Sequence, residues 1–107
     1  MANAYKVLYQ GQLGNSVATL ATVGGGKSWI IKDISMVNTD NATRTAGLYH
    51  NGTTDVTSIT PTAVSIVAGG MYAFSGGTIS AAAGDTISGG ASVANKITVT
   101  ITGDEVS

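Results

Sequence analysis

Along this chain apolar residues return at every second position, and nowhere do they keep a helical spacing for long. Ile97, Val99 and Ile101 alternate with Thr98, Thr100 and Thr102, which predicts a strand with one apolar face and one hydroxyl face. Tyr5, Val7 and Tyr9 alternate in the same way with Lys6, Leu8 and Gln10, and residues 29–37 form a longer run rich in Ile and Val. In that longer run the alternation slips. Ile30, Ile34 and Met36 fall on one face with Lys32, whereas Trp29, Ile31 and Val37 fall on the other with Asp33, which predicts a β-bulge or a side turned towards a partner subunit.

Further strands are expected over residues 17–23, 43–50, 63–67, 70–75 and 86–92, bringing the total to about eight. Asn51-Gly52 signals a hairpin turn, because both central residues of a type I′ turn need positive φ. Gly69-Gly70, Gly76-Gly77 and Gly89-Gly90 predict further bends, Pro61 a loop, and the Ser80–Ala83 stretch a turn too short to be a helix. The fold expected from this pattern is all-β: a single-domain antiparallel β-sandwich over residues 1–107, jelly-roll-like, with a barrel as the other topology the pattern allows. The first two to four residues are expected to form a short flexible N-terminal arm, and residues 103–107 a loosely held tail.

Candidate chemistry is sparse. Gly24-Gly25-Gly26-Lys27-Ser28 suggests a phosphate-binding loop, but Ala21 stands where that motif needs its first glycine, and a strand rather than a helix follows, so a turn is expected. His50 is the only histidine, and Asp33, Asp40, Asp55, Asp85, Asp104 and Glu105 lack metal-ligand spacing. His50 is therefore expected to be a solvated or hydrogen-bonded residue, and Asp85 a turn residue capping backbone N–H groups. Ser, His and Asp all occur, yet no nucleophile-elbow pattern accompanies them. Asn41-Ala42-Thr43 and Asn51-Gly52-Thr53 match the glycosylation sequon and are read as turns. No catalytic residue, cofactor or metal is expected.

Composition sharpens this picture. Only 10% of the 107 residues are charged, with a net charge of −1, against about 25% in an average protein. A surface so poor in Lys and Arg disfavours phosphate-backbone binding and suits packing between neutral protein surfaces, so no nucleic-acid partner is expected. No apolar run is long enough for a membrane span and the first ten residues lack a signal-peptide core, so no membrane partner is expected, and synthesis in a cytoplasm is. Without cysteine, robustness has to come from sheet packing and oligomerisation. The aromatics Tyr5, Tyr9, Trp29, Tyr49, Tyr72 and Phe74 are candidates for core, sugar-stacking or interface roles. Tyr72 and Phe74 share one strand face while Met71 and Ala73 share the other. These six aromatics and Met71 form the candidate protein interface.

Lys27-Ser28-Trp29-Ile30-Ile31-Lys32-Asp33-Ile34, Val37-Asn38-Thr39-Asp40 and Leu48-Tyr49-His50-Asn51-Gly52, followed by Gly69-Gly70-Met71-Tyr72-Ala73-Phe74, Ala83-Gly84-Asp85-Thr86-Ile87 and residues 99–106, give the chain a pattern over nearly its whole length. That pattern resembles short virion structural proteins of tailed bacteriophages. The resemblance implies a compact, non-enzymatic β module, most often a trimeric decoration or cement protein on the head. A homotrimer over junctions between major capsid protein subunits is then expected, burying edge strands and N-terminal arms on the head surface of the virion. The alternatives are a tail, baseplate or fibre component, or a carbohydrate-binding module using Tyr49, Tyr72 and Trp29 as stacking platforms. An enzyme is the weakest reading.

Overall fold

Period-two sequences become stable only when neighbouring strands satisfy their backbone groups, and the pairing pattern here is simple. The computed structural model describes residues 3–52, 59 and 64–107. Among them are eight strands: β1 (Asn3–Gln12), β2 (Ala18–Thr22), β3 (Ser28–Asn38), β4 (Arg44–His50), β5 (Val64–Ile66), β6 (Met71–Ala81), β7 (Thr86–Ala91) and β8 (Ile97–Val106). β1 pairs with β8, β2 with β7, β3 with β6 and β4 with β5, all antiparallel, as in one long hairpin folded over on itself. Two more pairings, β3 with β8 and β4 with β7, close two four-stranded sheets of order β1-β8-β3-β6 and β2-β7-β4-β5. This is the jelly-roll form of the β-sandwich.

Side chains from the inner faces of both sheets meet in one core. Ile97, Val99 and Ile101 of β8 are fully buried, together with Ile31, Ile34 and Met36 of β3, Leu48 of β4, Ile87 of β7, and Leu13 and Val23 from the connections. The broken alternation in β3 is a bulge. The register shifts between Ile31 and Asp33 against both neighbours, so Trp29 and Ile31 point inward before Lys32, and Ile34, Met36 and Asn38 point inward after it. A second shift in β1, between Val7 and Tyr9, lies beside the same part of β8. Gly103 sits at this bend, where any Cβ would overlap the carbonyl oxygen of Ile30.

Several expectations need correction. Residues 103–107 are no loose tail, because β8 runs to Val106 and Gly103–Val106 pair with both β1 and β3. Asn3 and Ala4, which the expected N-terminal arm would include, are paired in β1, and residues 1–2 lie outside the described residues. β6 does not stop at Ser75; it continues through Gly76-Gly77 to Ala81, with Gly76–Thr78 opposite the single Lys32. Gly89-Gly90 is not a bend but the buried middle of β7. A Cβ on Gly89 would strike Leu48, and one on Gly90 would come 2.9 Å from the Ser16 backbone.

Other turns form as expected. Lys27 N–H donates to the Gly24 carbonyl at 3.2 Å, with Gly26 at φ 74, and β3 follows directly. Gly70 N–H donates to Val67 O at 2.9 Å, turning β5 into β6. Asn51 has φ 57, the value a type I′ turn needs, but the residues that would form a return strand lie outside the described range, as do Asp55, Thr53 and Pro61.

Candidate interaction surfaces

The register of the β1-β8-β3-β6 sheet stacks its outward-facing residues into four rungs. From one end they are Tyr5-Asp104-Ile30-Ser80, Val7-Thr102-Asp33, Gln10-Thr100-Ser35-Ala73 and Gln12-Thr98-Val37-Met71. With strands about 4.8 Å apart and same-face residues about 6.8 Å apart, these rungs cover roughly 15 by 20 Å. The last two rungs carry no formal charge. Gln10 and Gln12 donate to the Thr100 and Thr98 hydroxyls at 3.0 and 3.5 Å, a row of cross-strand side-chain bonds along the neutral half of the outer face.

The first two rungs are polar and tied together. Tyr5 hydroxyl reaches across β8 to donate to Asp33 Oδ2 at 2.9 Å, and Lys32, the bulge residue, pairs with Asp104 at 3.0 Å and lies 6.0 Å from the Tyr5 ring centre. The bulge that broke the alternation thus puts a cation where the tyrosine and two carboxylates can use it.

At the same end but on the inner side, Glu105 forms a clasp. Its carboxylate accepts from Trp29 Nε1 at 3.0 Å, Lys6 Nζ at 3.1 Å and Lys27 Nζ at 3.4 Å, so one side chain binds β1, β3, β8 and the turn before β3. These donors, with the indole N–H foremost and Lys6 next, hold the Glu105 pKa down at about 2. A comparable polar lock is Asn38, fully buried at the end of β3. Its amide donates to the carbonyls of Ala42, Ile66 and Val67, and its oxygen accepts from Asp40 N–H at 2.9 Å. Asp40 in turn pairs with Arg44 at 2.7 Å, and the Asn41 N–H, then Arg44, hold its carboxyl below the usual range.

The candidate interface residues do not form one surface. Tyr5 and Met71 are each 61% exposed on the outer face just described. Tyr9, Tyr72 and Phe74 pack against the core, Trp29 is buried with its indole committed to Glu105, and Tyr49 lies half-buried on the outside of the other sheet. Trp29 and Tyr72 therefore offer no open stacking face. Sequence reasoning passed over Val7 and Val67, which are 50% and 64% exposed, and over the neutral Gln-Thr row, although the alternation over residues 98–102 marks out its hydroxyl face. His50 Nε2 lies 3.0 Å from Asp85 Oδ2. Asp85 also accepts the Ala82 N–H at 2.9 Å; the Asn51 side chain first, then this N–H and His50, lower its pKa. Among the described residues no hydroxyl is bonded to His50, no group of three or more acidic, His or Cys residues could hold a metal, and no helix is long and apolar enough to cross a membrane. No protein-family model matches this chain, and neither a curated protein nor a solved structure matches it.

Proposed function

We propose that this chain is a virion structural module of a tailed bacteriophage, a head decoration (cement) protein that forms homotrimers and stabilises the head by binding the major capsid protein. The observation that carries the reading is the outer face of the β1-β8-β3-β6 sheet. It is uncharged over half its length and edged by exposed Val7 and Met71 on a chain with little charge to keep neighbours away. Its area, on the order of 300 Å², falls well below the roughly 800 Å² per partner of a stable interface, so assembly also has to recruit the long edge strands β1 and β6. Those two edges are where a jelly roll of this order leaves backbone groups unpaired by its own sheet.

The test is reconstitution. Purified protein is expected to run as a trimer and to occupy expanded heads lacking it, in hundreds of copies. A variant carrying Val7→Lys and Met71→Lys is expected to fold with an unchanged circular dichroism spectrum and to lose that occupancy. A monomer that never associates with particles defeats the proposal, and a copy number of a few to a few dozen moves the protein to the tail, baseplate or fibre.

A further inference from the structure

The outside of the β2-β7-β4-β5 sheet is built differently, and it contains a hollow. Outward positions on β4 and its partner form three successive rungs: Thr45 beside Ser92, Gly47 opposite Gly90, and Tyr49 opposite Ser88. The middle rung has no side chains at all. Segment 15–17, held by the Ala91 N–H bond to the Gly14 carbonyl at 2.9 Å, crosses over Gly90, where the backbone of Ser16 and Val17 lies 2.9 Å from the place a Cβ would take, and walls the third side. The result is an open hollow of about 220 Å³, with Gly47 at its base and Ser16 covering Gly90.

Its chemistry is narrow. Residues 15–17, 45–47, 49 and 90–92 line it, and none of them carries a charge. At one end stand the hydroxyls of Thr45 and Ser92, at the side Asn15 and Ser16, and at the other end the aromatic ring of Tyr49. Along the strand, Thr45 and Tyr49 are about 13 Å apart at the backbone, which leaves room between their side chains for one six-membered ring. A ligand that suits an aromatic end wall and several neutral donors and acceptors has a flat apolar face and a rim of hydroxyls. We infer that this hollow is a binding site for a single neutral sugar ring, such as the terminal residue of a surface glycan. A charged sugar would find no counter-ion among the described residues that line it. The inference does not depend on how the protein assembles, since the site belongs to one chain.

A single ring of about a dozen heavy atoms in an open site binds weakly, with a Kd on the order of 1 mM. Isotope-labelled protein titrated with methyl β-galactoside, methyl α-glucoside and N-acetylglucosamine should show, for at least one of them, amide NMR shifts confined to residues 15–17, 45–49 and 90–92. Tyr49→Ala should weaken that binding by about tenfold, and Tyr49→Phe should retain it, because the ring face is what the sugar needs. No shift with any of the three up to about 50 mM overturns the inference, as do shifts mapping to another surface or unchanged binding by Tyr49→Ala.

Discussion

The two sheets of this sandwich share a core yet solve opposite problems on their outer faces. The β1-β8-β3-β6 sheet has strands of 10 or 11 residues, side chains at the described positions of every outer rung and a bend where the bulges of β1 and β3 meet β8. The β2-β7-β4-β5 sheet has strands of three to seven residues, with two glycines side by side in β7 and a connecting segment laid against its outer face. The first is a platform whose surface is made by side chains. The second is a frame whose surface is made by their absence. Within one jelly roll, strand length and glycine placement set the two outer faces apart, one covered by side chains and the other left hollow.

The two sheets should differ most in their tolerance of a methyl group at Gly103. β8 is flanked by β1 and β3, so a methyl group there meets the Ile30 carbonyl with no free side to move towards. Gly103→Ala is expected to cost about 3–5 kcal/mol in urea unfolding, among the largest effects of a single methyl group. A loss below about 1 kcal/mol would mean that the register at the bend is wrong.

Asn38→Leu comes next, at about 2–3 kcal/mol, because it strands the buried Ile66 carbonyl and the partly buried Asp40 N–H that the amide now satisfies. Asn38 joins the end of β3 to the start of the β5–β6 turn, so the change should also loosen the contact between the sheets there. Amide exchange at Asp40 is expected to accelerate more than exchange in β8.

On the other sheet, Gly90→Ala tests the frame. The new methyl group would press on the Ser16 backbone at 2.9 Å, but segment 15–17 lies at the surface and can yield. A cost of about 1–2 kcal/mol is expected, together with displaced amide resonances in residues 14–17 and none in β8. Equal effects of Gly90→Ala and Gly103→Ala would erase the distinction between the sheets.

How much of the fold is legible in the sequence follows the same divide. The platform sheet can be read in part: strict alternation over residues 97–102 marks β8, and the slip at Lys32 marks a break in β3. Periodicity leaves that break open between a bulge and a partner-facing side, and the register of both neighbours resolves it as a bulge. The far end of β8 cannot be read this way. Gly103, Asp104 and Glu105 look like a polar tail until Lys6, Lys27, Trp29 and Lys32 arrive from more than seventy residues away. The frame sheet misleads for a different reason. Paired glycines usually turn a chain, whereas Gly89 and Gly90 stay extended because one makes room for Leu48 inside and the other for Ser16 outside. Trp29 and Tyr72 illustrate the limit for sites, since period two separates the faces of a strand without saying which face is the core.

The smallest effect is the one that pH should show. Glu105 ordinarily titrates near 4.5 and in the fold near 2, so its three donors favour the folded state in full above about pH 4.5. That contribution fades as pH falls from 4.5 towards 2 and is gone below, because the protonated carboxyl no longer attracts the two ammonium groups. Asp40 and Asp85 are also lowered, so the native protein should lose stability on acidification for three reasons, and Glu105→Gln removes only one of them. Urea midpoints measured from pH 6 to pH 2.5 should therefore fall less steeply for Glu105→Gln than for the native chain. The difference should shrink in high salt, since Lys6 and Lys27 are nearly half exposed. Parallel curves for the two proteins would show that the clasp does not hold its end of the platform, and that the backbone pairing of β8 with β1 and β3 suffices there.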